Sequence, residues 1–156
     1  MSRGFYAGSF DPFTNGHFHV IKRVHELFPE LEIVVGVGVN PAKHRSYEQS
    51  VMADAIRTIL AKENIPATVI VFNGLGVDAA KDAGCNFMIR GIRNDMDYNY
   101  EENLAAVNEE VSGIDTIYVR AGLLGNVSSS MVRELLKHGK DVSKYVPAEI
   151  LEIISK

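Results

Sequence analysis

The chain has one cysteine, Cys85, and no tryptophan. A lone thiol cannot close an internal disulfide, so the fold must stand on its packed core. A reducing compartment suits such a chain, and the cytoplasm is the expected location. No apolar stretch approaches the roughly 20 residues that a membrane-spanning helix needs. The start, Met1-Ser2-Arg3-Gly4-Phe5, runs into a strand-like segment without the apolar core of a signal peptide. Basic residues are not in excess: 16 Lys and Arg stand against 20 Asp and Glu, for a net charge of −4. That balance speaks against a nucleic-acid or anionic-membrane partner, since both favour a basic face. Linkers, repeats and low-complexity tracts are absent.

Several catalytic signatures are missing too. There is no Gly-x-x-x-x-Gly-Lys-Ser/Thr phosphate loop and no Gly-x-Gly-x-x-Gly fingerprint opening a helix. The pair Gly36-Val37-Gly38 lies inside a strand-like run instead. No Ser-His-Asp or Cys-His set is legible. His19, His25, His44 and His138 lack metal-ligand spacing and read as surface residues, and Cys85 reads as a small apolar packing residue.

What is present is a regular alternation. The 156 residues, 46% apolar and 23% charged, suit one soluble domain spanning 1–156. Apolar runs rich in β-branched residues at 3–7, 32–39, 67–72, 86–90 and 115–119 predict five strands buried on both faces. Between them, Val20, Ile21, Val24, Leu27 and Phe28 form a helical stripe, as do Val51, Ala55, Ile56 and Ile59. Ser46-x-x-Gln49 is expected to act as a capping box for the second helix. Further helices are expected over 76–83, 95–111, 129–137 and 148–155, the last opened by Pro147 at its first position. The pattern predicts an α/β fold with a five-stranded parallel sheet flanked by helices. Ligands of such sheets bind beyond the carboxyl ends of the strands, so the residues after each run matter most.

Those residues carry groups suited to phosphate. After the first strand comes Gly8-Ser9-Phe10-Asp11-Pro12-Phe13-Thr14-Asn15-Gly16-His17, then a helix. A helix N-terminus facing the strand tips is an anion site, to which His17 can add an N–H and Ser9 a hydroxyl. Lys43 follows the second strand. Arg90-Gly91-Ile92-Arg93 follows the fourth, where a phosphate could satisfy both guanidinium groups. Salt bridges to Asp95, Asp97 or Glu101 are the alternative. After the fifth strand, Leu124-Gly125-Asn126-Val127-Ser128-Ser129-Ser130 leads into a helix, and its serines read either as N-caps or as phosphate ligands. Four strand tips therefore converge on a polyphosphate.

The string from Gly8 to His17 resembles the signature of the nucleotidyltransferase superfamily with a Thr/His-x-Gly-His motif. Arg90-Gly91-Ile92-Arg93, Tyr100-Glu101 and Val127 to Ser130 narrow the resemblance to the bacterial phosphopantetheine adenylyltransferases, from about Phe5 to about Pro147. It implies a single-domain Rossmann-like nucleotidyltransferase fold and adenylyl transfer from ATP to 4′-phosphopantetheine. It implies that His17, Lys43 and Arg90 carry the catalysis. Ser9, Lys43, Gly76 and Arg90 would hold the acceptor. Ser9, Phe10, His17, Gly91, Ile92, Arg93, Glu101 and residues 124–130 (Leu124, Gly125, Asn126, Val127, Ser128, Ser129, Ser130) would hold ATP. Magnesium as cofactor and a homohexamer are likewise implied. The alternatives are another adenylyl- or cytidylyltransferase of the superfamily, acting on nicotinate mononucleotide or glycerol phosphate, or a non-catalytic nucleotide-binding protein. The chain departs from the family pattern at Ala7, where proline is usual, in the absence of aromatics from 124–127, and at Val107-Asn108-Glu109.

Overall fold

The computed structural model describes residues 2–39, 44–92, 107, 109–110, 112–124 and 126–156. The elements run β1 (Arg3–Gly8), α1 (Asn15–Leu27), β2 (Glu32–Val39), α2 (Gln49–Lys62), β3 (Ala67–Asn73), α3 (Gly76–Asp82), β4 (Phe87–Ile92), β5 (Asp115–Arg120), a 3-10 turn (Gly122–Leu124), α4 (Ser129–Lys137) and α5 (Ala148–Ile154). The predicted helix over 95–111 lies mostly outside the described residues; Val107, Glu109 and Glu110 are helical within them.

Five strands pair in parallel in the order β3-β2-β1-β4-β5. Alternate residues of each strand feed opposite faces, as the pleat requires. Tyr6, Ile33, Val35, Val37, Ile89 and Val119 join the larger core with α1, α2, α4 and α5. Phe5, Val34 and Met88 join Ala80 and Cys85 in a smaller core beneath α3. Cys85 packs there as expected, and burial pushes its thiol pKa up. Among the described residues, no helix is long and apolar enough to cross a membrane.

The glycines of β2 have a packing role. A Cβ on Gly36 would lie 2.3 Å from Cζ of Phe5, and one on Gly38 would lie 2.7 Å from Cζ of Phe72. The two rings, 5.7 Å apart edge to face, fill the space those side chains would take.

Some expectations need correction. The capping box at Ser46 does not form: α2 begins at Gln49 with Glu48 as an N-cap that makes no side-chain bond. The Gln49 amide instead reaches Phe72 O at 2.9 Å and Val37 O, tying the ends of β2 and β3. Leu27 and Phe28 are each 53% exposed and Val51 is 41% exposed, so the buried stripes are narrower than the periodicity suggests. In α1, the stripe stops at Val24 because the helix ends at Leu27 and turns away. β3 is an edge strand: Val69 packs in the larger core and Ile70 and Phe72 against the smaller one, while Thr68, Val71 and Asn73 are exposed, so each face is only partly covered. Pro147 is the N-cap of α5 rather than its first residue. β4 runs to Ile92, past the predicted end at 90, which puts Gly91 inside the strand as well.

One ion pair joins α2 to α5: Lys62 Nζ lies 2.7 Å from Glu149 Oε2. The hydrogen bond from Lys62 holds the Glu149 carboxyl below its ordinary pKa, and the same bond raises that of Lys62. The Glu149 share of stability is thus present above the unfolded carboxylate value and is lost as pH falls through the lowered one.

Gly36→Ala is expected to cost about 1–3 kcal/mol, because neither the Phe5 ring nor the strand backbone can yield cheaply. Urea unfolding followed by circular dichroism measures it, and a midpoint equal to that of the unsubstituted protein would contradict the packing account.

Candidate active site

Strand order reverses at β1, which has β2 on one side and β4 on the other. In open parallel sheets a crevice forms beyond the strand ends at such a point. The loop from Ser9 to Thr14 enters it. Gly8 starts this loop with a ring above it: a Cβ there would lie 2.8 Å from Cε1 of Phe10. Phe10 has φ of 45°, a left-handed conformation unusual outside glycine, and its side chain is only 1% exposed. The ring packs edge to face on Tyr6, Phe13 and His17 at 5.4, 5.5 and 4.9 Å. The Phe10 ring is therefore part of the packing beneath the loop.

His17 is the third residue of α1 and closes a reciprocal cap with Thr14. The Thr14 N–H donates to His17 Nδ1 at 3.0 Å, and the His17 N–H donates to Thr14 Oγ1 at 3.4 Å. This is the capping box with imidazole in place of the usual Glu or Gln. Because Nδ1 accepts, the neutral ring carries its proton on Nε2. Phe13 stacks on the ring at 5.7 Å and 25°, which fixes its plane. The cap and the ring stack thus present an oriented imidazole at a helix N-terminus.

A cavity of about 220 Å³ opens here, lined by Tyr6, Gly16, His17, Val20, Gly91 and residues of the 121–129 segment. Two glycines let its walls close. A Cβ on Gly16 would lie 3.1 Å from Val127 O, and one on Gly91 would lie 2.8 Å from Cγ2 of Val20. The N-terminus of α4 faces the same cavity. Ser128 caps it, accepting from the Met131 N–H at 3.2 Å, and Ser129 Oγ donates to Pro12 O at 2.6 Å. Ser130 is exposed, with its hydroxyl 3.3 Å from that of Ser128. Two helix N-termini therefore converge on one small volume, and each favours an anion by about 0.3–1 kcal/mol at an exposed site.

Ser9 is exposed at the tip of β1. Arg90, half-buried on β4, donates from Nη1 to Ala7 O at 3.4 Å, so its guanidinium sits beside the end of β1. Gly76 opens α3 near that strand end, where a Cβ would lie 3.7 Å from Cβ of Ala7. Ile92 ends β4, and its carbonyl accepts from the Ala121 N–H at 2.9 Å. Leu124, Asn126 and Val127 belong to the segment between β5 and α4, with the Val127 N–H bonded to Leu124 O at 3.1 Å. The structure thus gathers Ser9, His17, Arg90, Gly91 and the 124–129 segment at one end of the sheet. Lys43, Arg93, Glu101 and Gly125 lie outside the described residues.

Sequence reasoning passed over Asp11 and Arg45. Both are nearly buried, with side-chain exposures of 8% and 14%. The Asp11 carboxylate accepts from the Ser46 and Tyr47 N–H groups, each at 2.8 Å. Burial pulls the Arg45 pKa down and the Asp11 charge pushes it back. The same carboxylate, after burial, helps raise that of Tyr47. The signal available in the sequence was an Asp in a loop otherwise made of Gly, Pro and Phe, with no partner nearby in the chain.

The chain is similar to known proteins over most of its length. A cytidylyltransferase-like family model matches residues 5–135. The phosphopantetheine adenylyltransferase of Allorhizobium ampelinum is 36% identical, with 96% of this chain and 94% of that protein covered. That of Porphyromonas gingivalis is 38% identical over 91% and 92%, and that of Rhizobium etli 36% over 99% and 97%.

The Thr14–His17 cap can be separated from any role of the Nε2 proton. His17→Ala should lose about 0.5–2 kcal/mol of stability, the usual worth of a helix cap. His17→Gln should recover most of it, since Gln at this position can accept from the Thr14 N–H. Thermal melts of both variants test this; equal melting points for all three proteins would remove the cap from the account.

Proposed function

The chain belongs to the phosphopantetheine adenylyltransferase family, and on that premise we propose that it moves the adenylyl group of ATP onto the phosphate of 4′-phosphopantetheine, giving dephospho-coenzyme A and pyrophosphate. Its fold is the Rossmann-like nucleotidyltransferase fold. The observation that carries the site-level reading is the meeting of two helix N-termini and an oriented imidazole in the crevice between β1 and β4.

The acceptor phosphate is already an anion and needs no general base. One of its oxygens forms a bond to the α-phosphorus of ATP while the bond from that phosphorus to the bridging oxygen breaks, and pyrophosphate leaves with the electron pair. Catalysis is then alignment and charge stabilisation. Arg90 and Lys43 hold and aim the acceptor phosphate, with Ser9 and the Gly76 main chain on the pantetheine side. His17 donates from Nε2 to an α-phosphate oxygen. The N–H groups at the start of α4 and the hydroxyls of Ser128 and Ser130 receive the outer phosphates, while the Ser129 hydroxyl holds Pro12 O. Gly91, Ile92, Arg93, Glu101 and the 124–127 segment hold the nucleoside.

Magnesium is the proposed cofactor. Among the described residues, no group of three His, Cys, Asp or Glu side chains could cage a metal ion. The fitting arrangement is an ion that enters on the triphosphate, which suits the reluctance of magnesium to shed its waters. When bound it neutralises phosphate charge. We propose cytoplasmic action and a homohexameric assembly as well.

Purified protein with ATP, magnesium and 4′-phosphopantetheine should release pyrophosphate, and should do so faster than with nicotinate mononucleotide or glycerol phosphate. Equal or greater turnover with either competitor would refute the acceptor. In the same assay, His17→Ala and His17→Gln should both lose kcat by on the order of 10²–10³-fold, as for one lost oxyanion donor. Arg90→Ala should chiefly raise the acceptor KM. Near-normal kcat in His17→Ala would reduce the histidine to a cap. Sedimentation of the same preparation should give a hexamer, and a stable monomer at micromolar concentration would dismiss the assembly.

A further inference from the structure

The residues around the crevice include one buried charged pair that the proposed chemistry does not use. Arg45 lies beyond β2, yet its guanidinium spans the ends of two strands. Nη1 donates to Ser9 O at 2.6 Å and to Gly38 O at 3.1 Å, and Nε donates to Tyr47 O at 2.7 Å. Ser9 is the first residue past β1, and Gly38 is the next-to-last residue of β2. One planar cation therefore holds the exits of two neighbouring strands together. Asp11 lies beside that cation without a hydrogen bond to it and holds the segment that carries it. Its Oδ1 is 4.0 Å from Arg45 Nη2, and its two oxygens take the N–H groups of Ser46 and Tyr47.

The main chain on either side of Asp11 is held as well. Arg133 Nη1, on α4, donates to Asp11 O, and Ser129 Oγ donates to Pro12 O. The loop from Ser9 to Pro12 is thus tied on one side to the 45–47 segment and on the other to α4. Its own backbone includes the left-handed Phe10, a conformation that persists only where surroundings enforce it.

A buried ion pair is a poor source of net stability, because desolvating two charges offsets their attraction. What this pair supplies is geometry. Lysine could replace the charge of Arg45, but a single ammonium cannot reach three carbonyls with the directions a planar fork allows. We infer that Arg45, on the segment held by Asp11, is a positioning residue for adenylyl transfer: it sets where the Ser9–Thr14 loop leaves the sheet, and so where Ser9 and the capped His17 stand relative to the α-phosphate. The inference rests on the proposed function for its kinetic consequence and on the structure alone for its geometric one.

Two variants test it, each with two readouts. Arg45→Lys keeps the charge beside Asp11 and loses the fork. Asp11→Asn keeps the shape and loses the charge. In both, kcat at saturating ATP and 4′-phosphopantetheine should fall by roughly 10- to 100-fold, the scale of a small misplacement of reacting groups. The melting temperature of Arg45→Lys should stay close to that of the parent. A charge partner serving stability alone would behave differently, since lysine would then restore full turnover. The second readout needs no turnover. Amide hydrogen exchange at Ser46, Tyr47 and the loop residues up to Thr14 should quicken in Arg45→Lys, while the amides of β1 and β2 keep their protection. Parental kcat in a folded Arg45→Lys overturns the inference. So does unchanged exchange across the loop, or collapse of the fold in both variants. If the parent protein shows no transfer to any acceptor, the proposed function fails, and the exchange measurement alone decides whether the tie sets the loop.

Discussion

The site depends on the place where β1 leaves the sheet. With β2 on one side and β4 on the other, a crevice stays open above the strand ends, lined by α1 and the segment that follows β5. Other features of the site serve to keep that crevice narrow without filling it. Gly16 and Gly91 remove side chains where α1 meets the 124–127 segment and where β4 meets α1. The Phe10 ring, tucked below the loop, fills the volume that a Cβ on Gly8 would claim. Residues at the N-termini of α1 and α4 then line one cavity. An anion of several charges is what such a cavity can stabilise, and an uncharged ligand would waste most of its field.

The two caps differ in what they leave for chemistry. Ser128 caps its own helix by accepting from the Met131 N–H and keeps a hydroxyl proton whose direction no ring fixes. His17 serves its helix with Nδ1 and carries its proton on the opposite side of the ring, so a single residue both ends the loop and supplies an oriented donor. That arrangement explains why the same position can matter to stability and to turnover. It also explains why a substitution that restores only the cap is the informative one. The buried Asp11 and Arg45 work one layer further out, on the carbonyls that decide where the loop begins.

Much of this was readable from the chain. Strand positions, the parallel α/β class and the cluster of phosphate-binding groups at strand ends all follow from hydrophobic runs punctuated by Gly, Ser, His and Arg. The errors have local causes. Ser46 and Gln49 match a capping box by spacing, but Asp11 takes the Ser46 N–H and the Gln49 amide finds two strand carbonyls instead. Periodicity assigned Leu27, Phe28 and Val51 to buried stripes, yet a period says nothing about where a helix ends or a neighbour stops. Phe10 was legible as a motif residue, while the turning of its ring into the core was not. Asp11 and Arg45 went unseen because the pair is 34 positions apart and meets only when β1 and β2 align. Lys43 and Arg93 were singled out by their places after strands and Glu101 by the resemblance, and all three lie outside the described residues.

The central claim is that aligned groups and charge stabilisation suffice, with the acceptor phosphate attacking ATP directly. The stereochemical course at the α-phosphorus tests that claim most directly. ATP made chiral at this phosphorus with oxygen isotopes or sulfur, turned over with 4′-phosphopantetheine, should give product with inverted configuration, as one in-line displacement requires. Retention would mean two displacements and a nucleotide held covalently on the enzyme, and would contradict the account.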